Sequence, residues 1–266
     1  HQLVRPAHWE EELHSQRRNL VLVAGVDRRV DTAFLTQNLA AALSESNAAS
    51  RILAIDVASR NDQIFHLDGH NSFDLGQLLS SPDTLDQTLI DNALEEFRPG
   101  LRLLAGGEGG DFLGDRGADL FIALSRLMNM FDLIVLNVGS EQHSAWVKSI
   151  GVHVKDLLVA ANPEVVQLRS VREHVGDWRP HLPSGSHVHL VLDGHESALP
   201  PSVDEIAEST GLDVAAALPM DWKSRLEAIN LGLPMQESAA KSAYSKKIRA
   251  LAAALLGVEQ KQKKRA

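Results

Sequence analysis

Asn19-Leu20-Val21-Leu22-Val23-Ala24-Gly25-Val26-Asp27-Arg28-Arg29-Val30-Asp31-Thr32-Ala33-Phe34-Leu35-Thr36-Gln37-Asn38-Leu39-Ala40-Ala41-Ala42 is the stretch whose reading decides the fold. Leu20 to Val26 is a short apolar run of strand length, rich in Val. Leu35, Leu39 and Leu43 recur behind it at helical spacing. The stretch therefore predicts a buried strand, a polar loop and a helix.

Outward from it, the same alternation repeats. Arg51 to Val57 reads as a second buried strand with Asp56 at its end. Residues 75–80 and 84–96 read as helices separated by Pro82. Residues 101–105 form a strand, followed by the glycine-rich loop 106–110. That loop has no Lys and carries Glu108, so it reads as a plain flexible connection rather than a phosphate cradle. A helix over 118–130 leads to a strand over 132–138, with Trp146 in the next helix. Strand 156–161, a helix through Val175, strand 187–193, helix 203–210 and strand 212–218 follow. A last helix over 239–256 carries Tyr244, Ile248, Leu251 and Leu255 on one face. Strands alternating with helices predict an α/β fold with a mostly parallel central β-sheet flanked by helices on both faces.

The chain has 266 residues, 44% hydrophobic and 23% charged, as one large soluble α/β domain would. A formal net charge of -9 argues against a general nucleic-acid surface. No cysteine is present, which excludes disulfides, a thiol nucleophile and cysteine metal sites. No apolar run approaches the ~20 residues of a membrane span, and no signal peptide is visible. The expected compartment is the cytoplasm. The start at His1 reads as a domain cut from something longer. Residues 1–18 read as a linker or lead-in, 19–257 as the domain, and 258–266 as a basic tail.

A phosphate-binding loop needs glycines that turn backbone N–H groups onto the phosphates, a Lys, and a Ser or Thr hydroxyl for Mg²⁺. The frame here resembles the P-loop NTPases of the MinD/ParA family, whose loop reads K-G-G-x-G-K-T-[ST] before a helix carrying N-L-A. Aligned on Asn38-Leu39-Ala40, Asp27 to Phe34 fall on that loop. Each of its glycines is replaced. The signature lysine falls on Asp27, the phosphate lysine on Thr32 and the magnesium hydroxyl on Ala33. Asp27 and Asp31 would repel a polyphosphate. Arg28 and Arg29 restore positive charge but add bulk, and one of them is expected to fill the vacated phosphate space and pair with Asp31 or Asp56.

The other nucleotide elements differ as well. The resemblance implies D-x-D after the second strand, where this chain keeps Asp56 and has Ala58. The strand over 132–138 should offer an acid for magnesium and offers Asn137. An Asn-Arg pair near the last strands should read adenine, and Asp193 stands there. Together these changes predict that hydrolysis is lost and that no cofactor is held. ATP with Mg²⁺ enters only if the chain is a divergent, slowly hydrolysing ATPase of the same family.

Two further stretches resemble one branch. Residues 78–90, followed by Leu101-Arg102-Leu103-Leu104-Ala105, are similar to the CpaE/TadZ proteins of Flp (Tad, type IVb) pilus assembly. Leu218-Pro219-Met220-Asp221 and the run Ala228-Ile229-Asn230-Leu231-Gly232-Leu233-Pro234-Met235 resemble a signature shared with MinD-type proteins. The resemblance implies a homodimer that marks the site of pilus assembly, often a cell pole, and recruits other pilus or secretion proteins. It also implies a receiver-like domain ahead of this one. An accessory role in polysaccharide secretion or flagellar placement stays open, and a DNA partition role stands further off.

Smaller signals weigh less. His187 and His189 share one face of a strand, and a solvated or packed pair is favoured there over a metal site. Ser140-Glu141-Gln142-His143 lacks the strained elbow that a catalytic triad needs. The tail lysines 261, 263 and 264 with Arg265 follow the amphipathic last helix. A core-packed helix with a solvated basic end is favoured over membrane binding, although the tail could give weak attraction to anionic lipid.

Overall fold

A computed structural model describes residues 18–47, 49–58, 73–106, 112–114 and 116–257. The strands are β1 (Leu20–Gly25), β2 (Ile52–Asp56), β3 (Glu96–Arg98), β4 (Leu101–Ala105), β5 (Leu133–Gly139), β6 (Val154–Ala161), β7 (His187–Asp193) and β8 (Val214–Leu218). The helices are α1 (Thr32–Ser46), α2 (Leu75–Leu78), α3 (Gln87–Ala93), α4 (Gly117–Met130), α5 (His143–Ile150), α6 (Val165–Trp178), α7 (Val203–Thr210), α8 (Trp222–Leu231), α9 (Met235–Ser238) and α10 (Ala243–Leu255).

The strands form an eight-stranded sheet in the order β3-β4-β2-β5-β1-β6-β7-β8. All neighbours run parallel except β3 and β4. β1 is buried along its whole length because it lies between β5 and β6 under helices on both faces. Its side chains divide by the two-residue period of a strand. Leu20, Leu22 and Ala24 enter the core under α4 to α7, while Val21 and Val23 enter the core under α1 and α8 to α10. The mostly parallel sheet with helices on both faces is as the alternation predicts.

The first and last helices share a face. Phe34 of α1 and Tyr244 of α10 meet with ring centroids 5.6 Å apart. Tyr244, Ile248, Leu251 and Leu255 are all buried, so the apolar stripe of α10 belongs to the core. The basic tail lies outside the described residues, as do residues 107–110 of the glycine-rich loop and residues 1–17 of the lead-in.

Three local expectations are corrected. The helix expected over 84–96 is only α3, because Asp86 caps its start by accepting from Leu89 N. Glu96–Arg98 then turns through Pro99 and Gly100, whose φ is 76°, to pair antiparallel with β4. The last helix is also shorter than expected. The short α9 precedes it, and Ser242 caps α10 by accepting from Ser245 N. Helix α8 was not anticipated; it packs on α9 and carries Arg225 to the end of β7 and the start of α1. Among the described residues, no helix is long and apolar enough to cross a membrane.

Candidate functional site

The chain leaves β1 toward β2 on one side, and later leaves β5 toward β6 on the other. Such a switch opens a crevice at the carboxyl ends of the strands. The loop from Val26 to Asp31 sits there, and the ends of β2, β5, β6 and β7 surround it. Gly25 opens the loop; a Cβ at that position would lie 2.9 Å from Thr32 Cγ2.

Three backbone donors in and just after the loop are consumed locally. Arg29 N donates to Asp27 Oδ1 at 2.9 Å, Val30 N to the Asp27 carbonyl at 3.1 Å and Thr32 N to the Val30 carbonyl at 3.0 Å. Asp31 caps α1, accepting from Phe34 N at 2.9 Å. A carboxylate therefore already faces the positive end of α1. Thr32 is buried, and Ala33 offers only a methyl group.

Beneath the loop, Arg225 of α8 is buried. Its Nη1 lies 3.1 Å from Asp193 Oδ1 and 3.2 Å from Oδ2, and its Nη2 lies 3.4 Å from Asp31 Oδ2. Its Cζ stands 4.5 Å from the centre of the Phe34 ring, a cation–π stack. Burial raises the Asp193 carboxyl above the usual carboxylate range, against the pull of the guanidinium. Arg225 itself stays protonated; its neighbouring carboxylates outweigh its burial. Arg225 was not singled out from the sequence, because no local pattern marks a contact between such distant segments.

Arg28 and Arg29 do not pair with Asp31 or Asp56, contrary to expectation. They stand at the exposed loop tip and reach outward, since Arg225 already holds the inner position. Arg28 meets Glu141 beyond β5 at 3.1 Å. Arg29 meets Asp27 at 2.9 Å and Glu164 beyond β6 at 2.8 Å. The Arg29 bonds hold the Asp27 carboxyl below its usual range. The loop is thus tied by its own side chains to both neighbouring strand ends.

Asp56 and Asn137 are brought together. They are register partners on β2 and β5, and Asn137 Nδ2 donates to Asp56 Oδ1 at 3.0 Å. Ala58 N donates to the same oxygen at 2.9 Å, and Gly139 N donates to Asn137 Oδ1 at 3.0 Å. Gly139 has φ of 64°, and a Cβ there would lie 2.5 Å from Ala58 Cβ. Asp193 lies apart from this pair, across the crevice with Arg225. Asn162 links the ends of β6 and β7 by donating to the Asp193 carbonyl at 2.8 Å.

Two other features fall outside the crevice. His143 is buried edge-on to His174 and Trp178, and Glu141 is spent on Arg28, so the 140–143 segment forms no triad. A groove of about 850 Å³ between α6 and α7 is lined by Val165, Leu168, Arg172, Pro200, Pro201 and Glu205. None of the residues singled out from the sequence lines it.

Neither a protein-family model nor a curated protein matches the chain in sequence. Solved structures match its fold. A ParA family ATPase from Chlorobium tepidum TLS is similar with a TM-score of 0.78, covering 90% of this chain and 98% of that one at 20% identity. A chain of the MinC:MinD cell division protein complex of Aquifex aeolicus reaches 0.74 over 93% and 100% at 18% identity. The apo McdA of Cyanothece reaches 0.70 over 90% and 99% at 15% identity. The fold is that of the MinD and ParA ATPases.

Proposed function

We propose that this MinD/ParA-like fold serves as a non-catalytic scaffold. The observation that carries the reading is the Asp31–Arg225–Asp193 bridge under a loop where the Arg29, Val30 and Thr32 amides are already bonded locally. In a phosphate site the helix end and the loop amides are left for the ligand, and a Lys and a hydroxyl complete the cradle. Here an internal carboxylate stands at the helix end and an internal guanidinium balances it. Asp56 is tied to a neutral amide where an ATPase would organise metal and water.

The scaffold would act through protein contacts. Val165, Val166, Leu199, Met220 and Trp222 are exposed on segments that follow β6, β7 and β8, at the same end of the sheet as the crevice. They support dimerisation or partner binding on that face. The MinD structure solved together with MinC supports protein partners for the fold. The similarity of residues 78–90 and 101–105 to the CpaE/TadZ branch supports Flp/Tad-type pilus assembly as the setting, with placement at a cell pole.

Titration calorimetry with ATP and Mg²⁺ tests the reading. No heat of binding at millimolar nucleotide is expected, and micromolar, magnesium-dependent binding would end it. One observation favours a second reading, a divergent ATPase: Asp56 is kept and buried at the end of β2. Phosphate release that vanishes in Asp56→Ala would support that alternative.

A further inference from the structure

At the opposite end of the sheet from the crevice, the starts of β6 and β7 bring Asp156, His187 and His189 together. Asp156 and His187 are register partners, and His189 follows on the same face of β7. Asp156 Oδ1 lies 3.0 Å from His189 Nε2 and 3.4 Å from His187 Nδ1. The three donor atoms all lie within 4.8 Å of one another.

We propose that these residues form a binding site for a divalent transition-metal ion of the zinc class. Ligands bonded to Zn²⁺ at ~2.0–2.1 Å in a tetrahedron stand ~3.3 Å apart, close to both of the distances from the carboxylate. Two imidazoles and one carboxylate suit Zn²⁺, Co²⁺ or Ni²⁺ better than Mg²⁺ or Ca²⁺, which prefer all-oxygen shells. The histidine pair, read from the sequence as solvated or packed, thus gains an acid from the neighbouring strand.

Burial gives a second reason. Asp156 is 4% exposed, and its Oδ2 has no hydrogen-bond partner among the described residues. A buried carboxylate is costly unless cations or donors surround both of its oxygens, and the two here face different partners. Lys155 is the nearest cation, 3.7 Å from Oδ2. The β1–β6 register slips at that residue, and its ammonium is directed to the Leu255 carbonyl at 3.3 Å. It therefore sits on the Oδ2 side and leaves Oδ1 with the two imidazoles. The His187 side chain is 66% exposed, so the mouth is open to an incoming ion, and a fourth position remains for water or an outside ligand.

Co²⁺ titration of the whole chain, read by visible absorption and by displacement with Zn²⁺, tests this. One equivalent should bind. His187→Gln and His189→Gln should each weaken binding by at least ~10-fold, the scale of even outer-shell losses, and His181→Gln should not. The exposure of His187 makes its variant safe for folding. The proposal is overturned by the absence of a stoichiometric Co²⁺ spectrum, or by equal binding in wild type, His187→Gln and His181→Gln.

Discussion

Arg225 of α8 holds Asp193 of β7 through one nitrogen placed 3.1 and 3.2 Å from the two carboxylate oxygens, with both side chains buried. Asp31 joins from the start of α1, so the bridge links the first helix, the seventh strand and a late helix. Removing one partner of a buried pair leaves the other charge stranded. Arg225→Met is expected to cost about 3–5 kcal/mol in urea unfolding. Adding Asp193→Asn should recover part of that loss, because the stranded charge goes with it. Equal loss in the single and double variants would contradict the pairing.

The cap on α1 separates shape from charge. Asp31→Ser retains an oxygen for Phe34 N, whereas Asp31→Ala does not. The alanine variant should be less stable than the serine variant by about 1 kcal/mol. Thermal melts of the two variants side by side would measure the difference. Neither variant is expected to bind ATP, since the loop still lacks Lys and the magnesium hydroxyl.

Gly139→Ala should destabilise by about 1–3 kcal/mol, because the new Cβ meets Ala58 Cβ in a backbone conformation that disfavours side chains. Unfolding of the variant by urea reads the effect directly. A stability equal to wild type would mean that the ends of β2 and β5 are less tightly apposed than described.

Burial, with His174 beside it, depresses the His143 imidazole from 6.5 to about 4. In the folded chain it stays neutral across that window, whereas in the unfolded chain it protonates. The unfolded state then binds more protons, so the stabilisation is complete above 6.5 and is lost as pH falls toward 4. The slope from this residue approaches ~1.4 kcal/mol per pH unit at most. His143→Phe should flatten the curve between those values, and an unchanged slope would refute the assignment.

Much of the architecture was legible in the residues. The apolar strands Leu20–Gly25 and Leu133–Gly139 are buried on both faces, so they carry the continuous apolar signal of a parallel sheet. The short strand Glu96–Arg98 carries no pattern of its own, so the helix expected over 84–96 runs into its first residue, and only its pairing with β4 makes it a strand. The candidate site was half legible. A strand-loop-helix stretch shows which side chains the loop carries, and Asp27, Asp31, Asp56 and Asn137 do stand around the crevice. What those side chains touch depends on distant segments. Arg225 and Glu164 lie far along the chain from the loop they contact, and the acid beside His187 and His189 comes from a different strand.

Phe34 rests on Tyr244, and so the first helix of the described domain has its seat built by the last one. Until residues 243–255 are made, the face of α1 that carries Phe34 lacks the half of its core that α10 supplies. A nascent chain halted before Ala243 would expose that oily surface and be prone to clump or be degraded. Assembly of the domain is in that sense a single late event, closed from the C-terminal end.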